Sequence, residues 1–246
     1  LDPMAEGLLP IFIGKATKIM EYLDLDYKTY RCTAKLGIVT DTQDIWGEVV
    51  ETRNTENIEI SDILKKIELF RGQISQIPPK YSAVRVNGRR LYEYARDGQD
   101  IEAKPRNVHI SKLDIIDIDI DKKNIMFDVT CSKGTYIRSI CSGLGEALGC
   151  GGVMQSLYRT SSGVFTLKGA TSPDELKELE CSDIESRLLE IDFPLVHLGR
   201  AEMSRDRARY FCRGNSIRWK QVKVTKEPEK DNYKKYNSRG RRYSSI

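Results

Sequence analysis

Apolar and polar positions along the chain follow two periods, and together they predict a mixed set of elements. Residues 28–38 (KTYRCTAKLGI) set Tyr30, Cys32 and Ala34 against Arg31, Thr33 and Lys35, the alternation of a half-buried strand. Before it, 8–13 (LLPIFI) is apolar enough for a short strand, and Gly14 leads into a helix over about 15–23. Residues 40–48 (TDTQDIWGE) have turn chemistry and hand over to a strand near 48–53. Ser61 can N-cap a helix whose Ile63, Leu64, Ile67 and Phe70 share one face, with Gly72 closing it. The Pro pair in 77–98 (IPPKYSAVRVNGRRLYEYARDG) breaks any regular element until a short helix over 91–96.

Residues 107–118 and 124–131 read as a hairpin turning at DIDKK, and 136–148 as a helix closed by Gly149. A strand over 156–166 and two short helices follow, the first with Ser172 as cap and Pro173 at its opening position. DFP (192–194) marks a boundary. Beyond it lie a strand, a basic helix near 204–213 and β-like residues 216–224. Strict β-α alternation is missing, so the fold class is α+β, with a catalytic-sized domain over 1–190 and a small one over 191–246.

Charge sharpens that division. Residues 191–246 carry 15 Lys and Arg against 6 Asp and Glu, whereas 1–190 carry 25 against 30. A basic terminus points to a polyanion, most naturally nucleic acid, although a solvated tail reads equally well from charge alone. The six cysteines form no CxxC pair and the two histidines, His109 and His197, have no second ligand beside them. Zinc, a disulfide framework and a Ser-His-Asp triad are therefore poor readings, and a reducing compartment is the better one. No apolar run reaches the roughly 20 residues of a membrane span. A cytoplasmic protein working without metal or cofactor is expected.

Taken singly, the candidate residues have ordinary explanations. Asp2 before Pro3 starts a turn, Tyr30 is a strand tyrosine facing a core, and Asp41 and Asp44 can close an Asx loop. SKGTYIRS (132–139) is a Gly turn opening a helix, where Lys133 and free N–H groups could hold a phosphate.

As an ordered set the motifs are far more specific. LDPMAEGLLPIFIGKATK (1–18), KTYRCTAKLG (28–37), TDTQDIWGEV (40–49), IPPKYSAVRVNGRRLYEYAR (77–96) and SKGTYIRSICSGLGEALGC (132–150) resemble the bacterial tRNA uridine-55 pseudouridine synthases of the TruB family. The resemblance covers about three quarters of the chain. It implies a pseudouridine synthase fold, a mixed and mainly antiparallel sheet flanked by helices, followed by a small PUA-like β domain.

The same resemblance implies residue roles. The catalytic aspartate falls on Asp2. The tyrosine that stacks on the target base, and is the favoured base for the C5 proton, falls on Tyr30. Arg138 would pair with the aspartate, with Asp44 on its other side. Tyr136 and Leu157 would line the uracil pocket. Lys18 would sit near the site in reach of a phosphate. Lys80, Tyr81, Arg85, Arg89 and Arg90, with Lys133, form a basic and aromatic set suited to gripping RNA, and 77–98 reads as a mobile lid. Arg205, Arg207, Arg209 and Arg213 fit contact with the acceptor arm. The expected partner is tRNA through its T-stem-loop and acceptor arm, and the expected state is a monomer.

The family has a strand-and-helix segment ahead of its LDP motif, ending in a GHTGT-like turn. A chain opening one residue before the aspartate is expected to be weakly active or inactive, because a terminal catalytic loop frays. Two rival readings keep the same core: the catalytic subunit of a guide-RNA-directed synthase, and a tRNA-binding or folding protein without catalysis. A glycosidic hydrolase would need two facing carboxylates, and Asp2 with Asp44 could serve only if Arg138 did not lie between them.

Overall fold

A computed structural model describes residues 2–101, 103–218 and 221–227. The chain divides into two compact units, one of residues 1–11 with 25–178 and the other of 12–24 with 179–246.

The larger unit is built on a seven-stranded, mainly antiparallel sheet. Its strands are β1 (Glu6–Gly7), β2 (Tyr27–Leu36), β5 (Gly72–Gln76), β8 (Arg106–Asp119), β9 (Asn124–Ser132), β10 (Gly152–Ser162) and β11 (Phe165–Thr166). Their order is β1-β10-β2-β9-β8-β5, with β11 folded back on β10 and β1 the one parallel neighbour. The β8–β9 hairpin turns where expected, at Lys123 with a positive φ of 56°.

One face of the sheet is apolar. Cys32, Ala34 and Leu36 of β2, Ile125, Phe127 and Val129 of β9, and Met154 and Leu157 of β10 are all buried. Helix α3 (Ile137–Leu148) lays Ile140, Cys141 and Leu144 on that face, and α1 (Ile60–Ile67) adds Ile63 and Ile67. The other face is wet: Arg31 pairs with Asp128 at 2.8 Å, and the hydroxyls of Thr29 and Thr130 meet at 3.0 Å. Alternation along β2 therefore does what its pattern demands, burying every second residue. The α3 helix ends on Gly149 in the left-handed conformation, and Gly145 lets its backbone touch the β10 start, since a Cβ there would lie 2.1 Å from Gly151.

Several expectations need correction. Residues 8–13 form no strand; the chain runs extended into a 3-10 helix over Gly14–Tyr22, because Pro10 removes a ladder donor. Glu59, not Ser61, caps α1, and Leu64 is half exposed while Ile63 and Ile67 carry the buried stripe. The strand expected to run on to residue 38 breaks at Gly37, whose φ is +91°, and β3 (Ile38–Thr40) pairs instead with β4 (Val49–Thr52). Strand β5 went unread because it is short and polar. The 77–98 loop holds a two-residue hairpin, β6 (Arg85–Val86) and β7 (Arg89–Arg90), followed by α2 (Leu91–Arg96). Asn87 and Gly88 both take positive φ, 51° and 83°, the geometry that an Asn-Gly pair favours between twisted strands. That signal was present in VNGR. Helix α4 (Pro173–Glu178) follows, and the Glu175 N–H donates to the Ser172 hydroxyl at 3.1 Å, the cap expected.

The smaller unit contains the 3-10 helix, α5 (Cys181–Ser186), a 3-10 turn over Phe193–Leu195, β12 (Arg200–Glu202), α6 (Arg205–Cys212) and β13 (Lys223–Lys226). β12 and β13 pair antiparallel, and the His197 ring Nε2 lies 3.0 Å from the Tyr22 carbonyl oxygen. Of the β-like stretch expected at 216–224, Lys223 and Val224 are in strand, 216–218 and 221–222 are not, and 219–220 lie outside the described residues. The polar end of the chain, 228–246, lies outside the described residues. No helix among the described residues is long and apolar enough to cross a membrane.

Candidate active site

The site forms where three loops converge on the first turn of α3. Tyr136 holds the N-cap position of that helix in an extended conformation, and Arg138, two residues on, is only 5% exposed. Two of its three guanidinium nitrogens make directed hydrogen bonds. Nη2 donates to Asp2 Oδ1 at 3.0 Å and to the Tyr81 carbonyl at 2.9 Å; Nη1 donates to the Thr42 carbonyl at 2.9 Å. Nε sits 2.9 Å from Asp2 Oδ2, yet its N–H is not aligned on that oxygen. The pair is thus one directed bond plus a close ion contact. Asp44 approaches Nη1 from the other side at 3.5 Å.

Asp44 is itself fixed. Its Oδ1 accepts from the Thr42 hydroxyl at 2.7 Å and from the Trp46 N–H at 3.2 Å, an Asx arrangement. Gln43 and Ile45, its neighbours, bond the Met154 backbone on β10 at 3.0 and 2.9 Å. A buried cation with two carboxylates and two carbonyls is well compensated, and that is the condition under which such a charge is tolerated. Asp2 keeps 28% of its side chain open, against 14% for Asp44. Of the two acids, Asp2 alone presents much surface to a substrate.

Asp2 is carried by a turn in which the Ala5 N–H donates to the Asp2 carbonyl at 3.0 Å, followed by β1 lying parallel on β10. Gly7 is required there: its φ is +99°, and a Cβ would fall 2.3 Å from the Arg159 carbonyl oxygen. Tyr30 stands on β2 directly across from Arg159. Burial pushes its hydroxyl above the ordinary tyrosine value, helped by Cys131 and Asp2 and opposed by Arg159. Asp2, Arg138, Asp44 and Tyr30 therefore gather in one place.

The other expected residues divide. Tyr136 packs on a small cluster of Val84, Leu91 and Ala103 that anchors the 77–98 segment. Leu157 is a core residue opposite Cys32. Tyr81 reaches Arg138 through its backbone. Lys80 pairs with Asp100 at 2.8 Å, Arg89 pairs with Asp97 and lies over the Tyr94 ring, and Arg90 bonds the Tyr92 hydroxyl at 3.0 Å. Arg85 is exposed on β6. Lys133 pairs with Asp26 at 2.9 Å. Lys18 belongs to the smaller unit.

Sequence reasoning missed Gln76. Its amide donates to the Tyr136 carbonyl at 3.2 Å and accepts from the Tyr136 N–H at 3.0 Å, holding the start of α3 against the end of β5. A cavity of about 530 Å³ beside it, lined by Phe70, Ile74, Ile77 and Gly143, does not include Asp2, Tyr30 or Arg138. Among the described residues no three His, Cys, Asp or Glu side chains converge as metal ligands do.

Solved structures share this arrangement of sheet and helices. One titled a Cbf5-Nop10-Gar1 complex superposes with a TM-score of 0.65 at 22% identity, over 90% of this chain and 59% of that one. Another, titled an H/ACA RNP bound to a substrate RNA containing 2'-deoxyuridine, gives 0.63 at 20% identity over 91% and 59%. The fold is that of the pseudouridine synthases. Residues 1–137 match the family model for the TruB family pseudouridylate synthase N-terminal domain, and 138–194 the tRNA pseudouridylate synthase B C-terminal domain. The tRNA pseudouridine synthase B of Alkaliphilus oremlandii is 45% identical over 217 residues, 88% of this chain and 71% of that protein. That of Francisella philomiragia is 47% identical over 180 residues, 73% and 59%. The chain belongs to the TruB family of pseudouridylate synthases. It spans about 59 to 71% of these relatives and structures.

Proposed function

We propose that this chain carries the catalytic apparatus that isomerises a uridine to pseudouridine in tRNA, at position 55 of the T-loop. The single observation that supports this best is the Asp2–Arg138–Asp44 arrangement, in which only Asp2 is both held and open. The reaction breaks N1–C1′, turns the uracil, joins C5 to C1′, and moves a proton from C5 to N1. Asp2, held by the guanidinium beside it, attacks C1′ or removes the 2′ proton. Arg138 aims the carboxylate and Asp44 holds Arg138.

The uridine must leave its stack, at a cost of a few kcal/mol, and Tyr30 offers a stacking surface worth about 1–3 kcal/mol per base. Its hydroxyl is our candidate for the C5 proton; burial holds its own proton, so it takes the one from C5 only as it passes its own on to N1 or to water. Tyr136 and Leu157 wall the pocket, and the β6–β7 hairpin with Lys80, Tyr81, Arg85, Arg89 and Arg90 grips the stem-loop, with Lys133 and Lys18 on phosphates. The basic end, from 191, serves as a PUA-like domain on the acceptor arm. The protein works as a cytoplasmic monomer without cofactor.

A stand-alone enzyme is favoured over a guide-directed subunit because the named tRNA pseudouridine synthases are 45–47% identical, against 20–22% for the Cbf5 structures. The test is incubation with an unmodified tRNA transcript and mapping of pseudouridine by carbodiimide-dependent reverse-transcription stops. A stop at position 55 without any guide RNA supports the reading; no stop with this chain, and none with a version extended by the family's N-terminal segment, overturns it.

A further inference from the structure

Arg159 is a second buried guanidinium in the larger unit, and unlike Arg138 it has no carboxylate. It is 7% exposed, and among the described residues no acid pairs with it. Only Nε is committed to the backbone, donating to the Leu8 carbonyl at 2.6 Å, while the Leu8 N–H donates to the Arg159 carbonyl at 2.8 Å. The register sets Arg159 directly opposite Tyr30, so the two side chains share a face of the sheet. Lys28 stands two residues along β2 from Tyr30 on that same face, a diagonal neighbour within reach of long side chains. It is half-buried and likewise has no acid in ion-pair contact; Asp26, which acts on it from a distance, pairs with Lys133.

Two partly desolvated cations on one patch, without a carboxylate paired to either, cost free energy in the empty protein. Burial, then Arg159, lower the Lys28 pKa, which records both penalties. A fold keeps such a pair where a bound anion relieves it.

We propose that Lys28 and Arg159 form an anion subsite beside Tyr30 that takes one phosphodiester flanking the flipped uridine. A phosphodiester carries a full permanent charge and two free oxygens, so it can meet both cations at once. The base stacked on Tyr30 would occupy the ring face, leaving the cross-strand Arg159 and its diagonal neighbour Lys28 for the backbone of the extruded nucleotide. The subsite rests on the RNA-modifying reading above and adds to it a contact that draws the nucleotide in as the base turns out.

The experiment is binding of a T-arm RNA hairpin by the full chain in the Asp2→Asn background, so that the uridine is not turned over. One hairpin has normal linkages; two others carry a single uncharged methylphosphonate, 5′ or 3′ of the target uridine. The expected result is about a tenfold weaker Kd for one of the two methylphosphonates. Lys28→Gln and Arg159→Met should lose a similar factor on the normal hairpin and become indifferent to that methylphosphonate. The slope of log K against log salt should fall by about 0.7 when both are changed, as for one lost phosphate. Lys28→Gln leaves the Arg159–Leu8 clamp intact, so it separates phosphate binding from folding.

Equal Kd for all three hairpins, or variants as sensitive to the methylphosphonate as the parent, overturns the subsite. So does a loss confined to kcat in the Asp2 protein, which would assign the two cations to charge on the departing uracil. Absence of any hairpin binding by the parent instead sinks the RNA reading itself.

Discussion

Gln76 and Tyr136 are joined by a two-way amide clasp, the side chain of one meeting both backbone polar groups of the other at 3.2 and 3.0 Å. Gln76 thereby acts as an extra backbone unit at the end of β5: it accepts from the N–H that α3 leaves open at its start and adds a second donor to the Tyr136 carbonyl. Arg138 begins two residues later, so the clasp sets where the guanidinium stands.

Gln76→Ala should leave the Tyr136 N–H without a partner in a part-buried place, at about 1–3 kcal/mol. For a unit of this size that is roughly a 3–10 °C lower Tm. Because α3 also loses its orientation, kcat should fall about tenfold or more with little change in KM. An unchanged Tm in a thermal melt would mean that water replaces the amide without loss.

Gly7→Ala separates positioning from stability. The added Cβ would meet the Arg159 carbonyl at 2.3 Å in a conformation alanine avoids, so β1 must lift from β10. β1 is two residues at a sheet edge, so the core should melt within a few degrees of the parent. The Asp2 turn, five residues upstream, loses its support, and kcat should drop at least about tenfold. Full activity in this variant would show that docking of β1 does not place Asp2.

The Asp2–Arg138 pair yields a graded series. Asp2→Asn should abolish product, by at least about 10³-fold, while tRNA affinity changes little. Arg138→Lys keeps the charge but not the fork that reaches Asp2, Thr42 and Tyr81 together, so kcat should fall about 10²-fold. Asp44→Asn retains the Thr42 and Trp46 bonds and should cost only about tenfold. Single-turnover rates with saturating enzyme would rank them, and an Asp44 variant worse than the Asp2 variant would exchange their roles.

The strands β2 and β9 and the helix α3 were legible because each presents an unbroken period against one face and ends on a glycine or turn, and β8 was legible as the partner of β9 across the DIDKK turn despite two bulges. Asp2, Tyr30, Asp44 and Arg138 were not legible as a cluster from period or spacing, since each has an ordinary local explanation; only their ordered motifs united them. Gln76 and Arg159 stayed hidden for a different reason. A polar residue at the end of a short strand and an arginine in an exposed-looking YRTSS stretch acquire meaning only through partners 60 and 151 positions away. The β6–β7 hairpin is encoded locally by Asn87-Gly88, but its strands are only two residues long and give no alternation to read.

The cysteines supply a prediction that needs no substrate. Cys32, Cys131, Cys141 and Cys150 are buried and Cys181 and Cys212 are exposed. Iodoacetamide at pH 8 should therefore add to two thiols quickly and to the other four only on unfolding, as counted by mass spectrometry. Burial pushes the Cys131 thiol up to about 11 from an ordinary 9.0, and it pushes Cys32 up as well. The folded state thus holds the Cys131 proton more tightly than the unfolded chain does. That contribution is complete below about pH 9 and is lost as pH rises to about 11, amounting to roughly 2–3 kcal/mol. Denaturant unfolding at pH 8, 9, 10 and 11 should show stability falling across this window. In Cys131→Ala the fall should be smaller by about 2 kcal/mol, even though the variant starts lower at pH 8 for want of the packed sulfur. Parallel curves for the two proteins would mean that the thiol ionises freely in the folded chain, and the sheet face around Tyr30 would then be wetter than its packing requires.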